Sequence, residues 1–367
     1  MSYKIHMAGR DDPRTLYQTD SLYAWKHGLY FPPVTVEISP TNACNQKCTY
    51  CYAWRDSKPR QMLQDEVLVG CIDQLVDTGV GGVVIQGTGE PLLHKAVPEA
   101  IKRCAIRNIP VQLTTNGSLL TPALKDKILQ DLFCLRISVI DSDPKRYAHQ
   151  HGCSEKQWHT LIANLEKAMS SRANENLKFN IWATVYLSEE NFRDIFDTVK
   201  LCKEIGIDFV YITEPQYTSF SPSGRKVYAS SRLPEEEVEA LCTRLLSLKD
   251  DDFSLKIKFE AKEHILSGSG KQTWMNDYCQ GIKFYTLIGS DGGVYPCWRC
   301  WEDVKYSYGS LYEKSFSEIW QGEHRKQIEK MVLQTAPEGD ECFVCTICLL
   351  NKLLDETNHV TKWVNFL

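Results

Sequence analysis

Long apolar runs are missing from this chain of 367 residues. A membrane-spanning helix needs about 20 consecutive apolar residues, so their absence excludes a helical membrane protein. The opening MSYKIHMAGRDD carries no apolar segment of the kind a secretory signal needs. No tandem repeat or low-complexity tract is present, which excludes an array of stacked copies. Charge of one sign is in little excess: the net is −5, and the basic residues are scattered rather than gathered into a patch that would hold a nucleic acid. The expectation is a soluble, cytoplasmic protein with neither nucleic acid nor membrane as partner. Its length suits roughly two to three domains with a sizeable core.

What the chain has in abundance is cysteine. Fifteen of them, in a chain read as cytoplasmic, point to metal or redox chemistry rather than disulfides. Cys44, Cys48 and Cys51 stand together in the run Asn42-Ala43-Cys44-Asn45-Gln46-Lys47-Cys48-Thr49-Tyr50-Cys51. Cys279, Cys297, Cys300, Cys342, Cys345 and Cys348 crowd the C-terminal part. Cys71, Cys104, Cys134, Cys153, Cys202 and Cys242 are dispersed, several on apolar faces such as GCIDQLV and VKLCKEI, where a thiol packs as a small hydrophobe. Three thiolates as close as the first set can hold three corners of a [4Fe–4S] cube and leave the fourth iron open to a ligand. A zinc site would show paired arms and a closed shell of four ligands, and no fourth Cys or His lies near the triplet.

With Tyr50 just before its third thiol, the motif Cys44-x3-Cys48-x2-Cys51 resembles the signature of the radical SAM superfamily. The resemblance implies that S-adenosylmethionine chelates the open iron through its amino and carboxylate groups. It also implies that the reduced cluster cleaves the sulfonium to a 5′-deoxyadenosyl radical, which takes a hydrogen atom from an unreactive C–H bond. A reducing partner such as flavodoxin or ferredoxin follows from that chemistry.

Strand signals at residues 34–38, 83–86, 111–114, 135–140, 178–186 and 208–213 alternate with helical spacing at 65–78, 94–107, 121–131, 156–170 and 192–205. Six such units in order predict parallel strands with outer helices. The fold expected is α/β and resembles the partial (β/α)6 barrel of the superfamily over residues 34–216, with chemistry at the carboxyl ends of the strands. Residues 1–33 form an N-terminal extension. Residues 217–273 read as a linker rich in Ser, Pro, Gly and Arg, followed by a bridging helix from Pro234 and a strand at 253–259. Residues 274–367 form a second, cysteine-bearing domain.

Other motifs fall at strand ends. Gly87-Thr88-Gly89-Glu90-Pro91 follows the second strand, where glycines let a backbone approach a ligand closely. It resembles the superfamily's Gly-Gly-Glu loop for the amino group of S-adenosylmethionine, with Thr88 where a glycine commonly stands. Thr114-Thr115-Asn116-Gly117 follows the third strand. Ser138 and Asp141 follow the fourth and resemble the residues that meet the ribose hydroxyls. The resemblance also implies that Tyr50 stacks beside the adenine, and that Val185 and Leu187 of the fifth strand face it.

The C-terminal cysteines carry a second resemblance. Gly292-Gly293 sits between residues 286–288 and 294–295 as a hairpin turn, bringing Cys297 back toward Cys279. A helix over 316–330 then leads to Cys342-x2-Cys345. The pattern resembles the SPASM and twitch extensions of radical SAM enzymes, which hold auxiliary [4Fe–4S] clusters. Six thiolates are too few for the two clusters of a full SPASM domain, so one auxiliary cluster on Cys279, Cys297, Cys342 and Cys345 is expected, as in 2-deoxy-scyllo-inosamine dehydrogenase. Cys300 and Cys348 are left spare. A zinc ion could use the same four thiolates.

These readings lead to an enzyme that oxidises or epimerises a small polar molecule such as a sugar or aminocyclitol. Glu214 or Tyr217 would serve as the base for oxidation, or Cys300 as hydrogen-atom donor for epimerisation. Residues 1–33 are too short for the leader-binding domain of many peptide-modifying relatives. A peptide substrate is the alternative within enzymes, and a non-enzymatic iron–sulfur electron carrier the alternative outside them.

Overall fold

In the computed structural model, residues 19–51, 59–214, 233–258, 279–301, 303–334, 350–351 and 354 are described. A short helix α1 (Thr19–Lys26) precedes the first strand, β1 (Thr35–Ile38). Then come α2 (Asp65–Thr78), β2 (Gly82–Ile85), α3 (Val97–Ile106), β3 (Val111–Thr115), α4 (Pro122–Ile128), β4 (Cys134–Ile137), α5 (Pro144–His151), α6 (Glu155–Asn174), β5 (Asn180–Tyr186), α7 (Ile195–Ile205) and β6 (Phe209–Thr213). The C-terminal third adds α8 (Glu235–Leu246), β7 (Ser254–Lys258), β8 (Tyr285–Ile288), β9 (Gly293–Tyr295), β10 (Gly309–Ser310), α9 (Phe316–Gln321) and α10 (Glu323–Gln334).

All six expected strands are present, in sequence order and parallel, but the sheet is longer than they are. The strand beyond the linker, β7, pairs parallel with β6, and β8 pairs parallel with β1 from the other side. One ten-stranded sheet results, ordered β10-β9-β8-β1-β2-β3-β4-β5-β6-β7. Its antiparallel end is the expected Gly-Gly hairpin, in which Gly292 takes the left-handed conformation (φ 79°) and β9 returns along β8. The sheet therefore runs unbroken from the barrel strands into the cysteine-bearing part.

Strand residues alternate between faces, and the alternation sorts the core. Val36, Ile38, Val83, Ile85, Leu113, Leu135, Ile137, Ile181, Val185 and Ile212 join the buried side chains of the helices in one cluster. The opposite, inner face carries Glu37, Gln86, Gln112, Thr114, Arg136, Thr184, Tyr186, Tyr211 and Lys256, by the registers of the strand pairs. A helix-covered face and a polar face on one parallel sheet is the division a ligand-holding half-barrel needs.

Two helices differ from the sequence reading. Helix α5 was not expected, because only Tyr147, Gln150 and His151 of PKRYAHQH are buried and no apolar period marks it. Its ends carry the signal instead: Asp143 accepts from the Lys145 and Arg146 N–H groups, Pro144 occupies the first turn, and Gly152 closes the helix at φ 54°. The expected helix over 316–330 is two helices. Gly322 between them is extended, and a Cβ there would lie 2.8 Å from the Glu318 carbonyl oxygen.

Candidate functional site

The loop after β1 carries the three thiols, and two neighbours fix its backbone. On one side the Lys47 and Thr49 N–H groups donate to the carbonyls of His151 (3.0 Å) and Gln150 (2.8 Å) at the end of α5. On the other, the Glu90 N–H donates to the Ala43 carbonyl at 2.8 Å. Gly89 makes that second contact possible, since a Cβ there would stand 2.1 Å from the Ala43 oxygen. A Cβ at Gly87 would stand 2.5 Å from the Ser39 hydroxyl. These glycines were expected to admit a ligand, and in the structure they admit the cysteine loop itself. Thr88 is buried and closes the place of the missing glycine with its own hydroxyl, 3.3 Å from that of Ser39.

The motifs at the strand ends form one hydrogen-bonded assembly. Glu90, 2% exposed, accepts from the Thr115 hydroxyl (2.6 Å), the Asn116 N–H (2.8 Å) and the Leu92 N–H (3.1 Å). Burial pushes its carboxyl above the usual range. Asn116 donates to the Asn45 side chain at 2.9 Å, and Asn45 donates to Ser118 at 2.9 Å. The Ser138 N–H donates to the Thr115 carbonyl at 2.9 Å. Cys44, Cys48, Cys51, Tyr50, Glu90, Thr114, Asn116 and Ser138 thus gather at the carboxyl ends of β1 to β4, and Thr114 lies on the inner face beside Gln112.

Two expectations are corrected. Val185 and Leu187 are fully buried on the helix-facing side of β5, with the core cluster, and do not face the inner side. Face parity had been assigned one residue out of step; Thr184 and Tyr186 point inward. Asp141 does not offer its carboxylate to a ribose. It is 1% exposed and held by Arg146 through two bonds of 2.7 and 2.8 Å, with the Asp143 N–H at 2.8 Å. Arg146→Met, which strands that buried carboxylate, should cost about 3–5 kcal/mol of stability. An unchanged denaturation midpoint would count against it. Tyr50 has its ring edge-on to Tyr186 (4.8 Å, 88°) and its hydroxyl 3.0 Å from His151 Nε2.

The thiols fit an iron–sulfur cluster. They come from one loop, they are partly buried, and the Gln46 N–H points at the Cys44 sulfur from 3.4 Å. Burial pushes the Cys44 thiol up to about 11 and raises Cys48 as well. Thiolates at these positions therefore call for positive charge beside them, which iron supplies.

In the C-terminal part, Cys297 and Cys300 lie on one tight turn with sulfurs 3.9 Å apart, and the Asn351 amide donates to the Cys279 sulfur at 3.0 Å. Cys300, expected to be spare or catalytic, is buried on the same turn as Cys297. Cys342, Cys345, Cys348 and Tyr217 lie outside the described residues. Glu214 is fully buried at the end of β6.

Sequence reading missed the inner-face carboxyl Glu37. It is 4% exposed and accepts from Tyr285 Oη (2.5 Å), Trp298 Nε1 (3.0 Å) and the Gln86 amide. Burial pushes it up to about 7 against those donors. A charged residue alternating with Val36 and Ile38 inside a buried parallel strand was the available signal. Trp298 belongs to the Cys297–Cys300 turn, so Glu37 ties that turn to the inner face.

Residues 38–213 match the radical SAM superfamily, and residues 279–348 match SPASM, an iron-sulfur cluster-binding domain. The cysteine-type anaerobic sulfatase-maturating enzyme of Clostridium perfringens is 23% identical over 340 residues, 86% of this chain and 88% of that one. The AdoMet-dependent heme synthase of Methanosarcina barkeri is 25% identical over 303 residues (77% and 80%), and the PqqA peptide cyclase of Granulibacter bethesdensis 20% over 302 (79% and 74%). Among solved structures, Streptococcus suis SuiB bound to its precursor peptide SuiA superposes with a TM-score of 0.65 at 16% identity, covering 95% of this chain and 78% of that one.

Proposed function

Because the chain belongs to the radical SAM superfamily and ends in a SPASM iron–sulfur domain, we propose that it is a radical S-adenosylmethionine enzyme acting on a peptide. When bound, the catalytic cluster and S-adenosylmethionine supply a 5′-deoxyadenosyl radical that takes a hydrogen atom from the substrate. Cys44, Cys48 and Cys51 would hold that cluster, with Glu90, Asn116 and Ser138 around the cofactor. Cys279 and Cys297, with Cys342 and Cys345 by their spacing, would hold one auxiliary cluster.

The observation that carries the peptide reading is the match to a sulfatase-maturating enzyme over 86% of the chain, joined by the peptide cyclase. It is favoured over the small polar molecule expected from the sequence, which the GTP 3′,8-cyclase of Clostridium perfringens supports, at 29% identity over 187 residues. The polar inner face, with Arg136 and Lys256 on separate strands, suits a substrate presenting amide and charged groups. Glu214 remains a candidate base, and flavodoxin or ferredoxin the candidate reductant.

Reconstituted protein with dithionite and S-adenosylmethionine should form 5′-deoxyadenosine, and a short peptide encoded beside its gene should raise the rate and change mass. No 5′-deoxyadenosine at normal iron content would defeat the class. Stimulation and turnover by sugars or aminocyclitols, with none by peptides, would restore the small-molecule reading.

A further inference from the structure

We propose that His151 is a positioning residue for the catalytic cluster: through its two ring nitrogens it orients the Cys48 sulfur and the Tyr50 hydroxyl together and makes the cluster easier to reduce. The inference rests on the reading of Cys44, Cys48 and Cys51 as cluster ligands.

The hydrogen-bond chain fixes where the ring proton sits. The Gln46 amide nitrogen donates to Tyr147 Oη (3.2 Å) and to Gln157 Oε1 (3.0 Å), so its oxygen is the atom turned toward His151. That oxygen lies 2.9 Å from His151 Nδ1 and can only accept. Nδ1 therefore carries the hydrogen. The ring is 1% exposed, where a neutral imidazole is favoured, and this leaves Nε2 as an acceptor. The Tyr50 hydroxyl, 3.0 Å away, is its donor.

Cys48 Sγ lies 3.6 Å from the same Nδ1 and 3.9 Å from the Gln46 oxygen. As a thiol it can donate to that oxygen; as an iron-bound thiolate it can only accept, and the Nδ1 hydrogen is then shared with it. Hydrogen bonds to cluster sulfurs raise the reduction potential, and such outer partners set ligand orientation. The ring is clamped for the task. It stacks on Tyr147 (4.0 Å, 17°), and the backbone carbonyl of His151 accepts from the Lys47 N–H. Gly152 lets the loop in, since a Cβ there would stand 2.4 Å from the Lys47 oxygen.

The test is an EPR-monitored redox titration of the cluster whose signal responds to S-adenosylmethionine, in His151→Phe and His151→Asn, with iron content measured in each. Phenylalanine keeps the shape and no nitrogen, while asparagine can place an N–H near the Nδ1 position. The expected result is a more negative midpoint and several-fold slower 5′-deoxyadenosine formation at limiting reductant for His151→Phe, with His151→Asn close to the parent. Loss of the catalytic cluster in His151→Phe but not in His151→Asn also supports the role. Equal shifts in both variants, equal iron loss in both, or no shift in either overturn it. Parent protein that binds no S-adenosylmethionine-responsive cluster would defeat the class reading instead, which keeps the two failures apart.

Discussion

Cys48→Ala should reduce 5′-deoxyadenosine formation to background while leaving the C-terminal cluster in place. Two [4Fe–4S] clusters correspond to roughly eight irons per chain, and this variant should hold roughly four. The separation is expected because the two cysteine sets hang on different supports. The first loop is pinned by the end of α5 and by Glu90, the second turn by β8, β9 and Glu37. Losing this thiolate also takes the sulfur away from His151 Nδ1, which keeps the Gln46 oxygen as its acceptor. The measurements are iron per chain and 5′-deoxyadenosine after dithionite reduction. Retained cleavage at half the iron would mean that the C-terminal cysteines, and not the first loop, carry the cofactor-cleaving site.

The second large effect is expected from a single added methyl. Gly89→Ala would place a Cβ 2.1 Å from the Ala43 oxygen and 2.7 Å from the Ala43 and Asn42 carbonyl carbons. All three are backbone atoms of the cysteine loop, so no side-chain rotation relieves the clash. Overpacking of this kind typically costs about 1–3 kcal/mol, and more where backbone must move. The displacement falls on the cysteine loop and the Glu90 turn, the two elements proposed to flank the cofactor, so iron uptake at the first site and S-adenosylmethionine affinity should both fall, the latter by about tenfold for each 1.4 kcal/mol of misplacement. Gly70→Ala is the matched control. It lies in α2 with nothing within 4 Å of the new Cβ, and alanine there should be neutral or stabilising by up to about 1 kcal/mol. Wild-type cofactor affinity in Gly89→Ala would show that the loop contact is not what the glycine serves.

Much of this site could be read from residue order because its chemistry is local. Three thiols in one loop, a Gly-rich turn and the Gly-Gly hairpin each depend on neighbours in sequence, and the bounds of α2 follow from its acidic start and the left-handed Gly79. What escaped depends on pairing between distant segments. The roles of β7 and β8 as added barrel strands follow from registers over gaps that no local pattern marks. The face of Val185 turns on a parity that both sides of a buried strand can satisfy with apolar residues. Asp141 looked free because its partner sits on α5, a helix whose polar face hides its period and leaves only its caps as evidence.

The pairing of β8 with β1 bears on any attempt to divide the molecule. Strand β1 leads directly into the cysteine loop, and β8 covers the edge of it that β2 leaves open, residue for residue from Thr35↔Tyr285 to Ile38↔Ile288. A fragment cut before residue 279 would expose that edge as unpaired N–H and C=O groups, a template on which identical fragments can associate. It would also strip Glu37 of its Tyr285 and Trp298 donors. The C-terminal iron–sulfur part is therefore no detachable accessory: it supplies the strand that caps the open edge of β1.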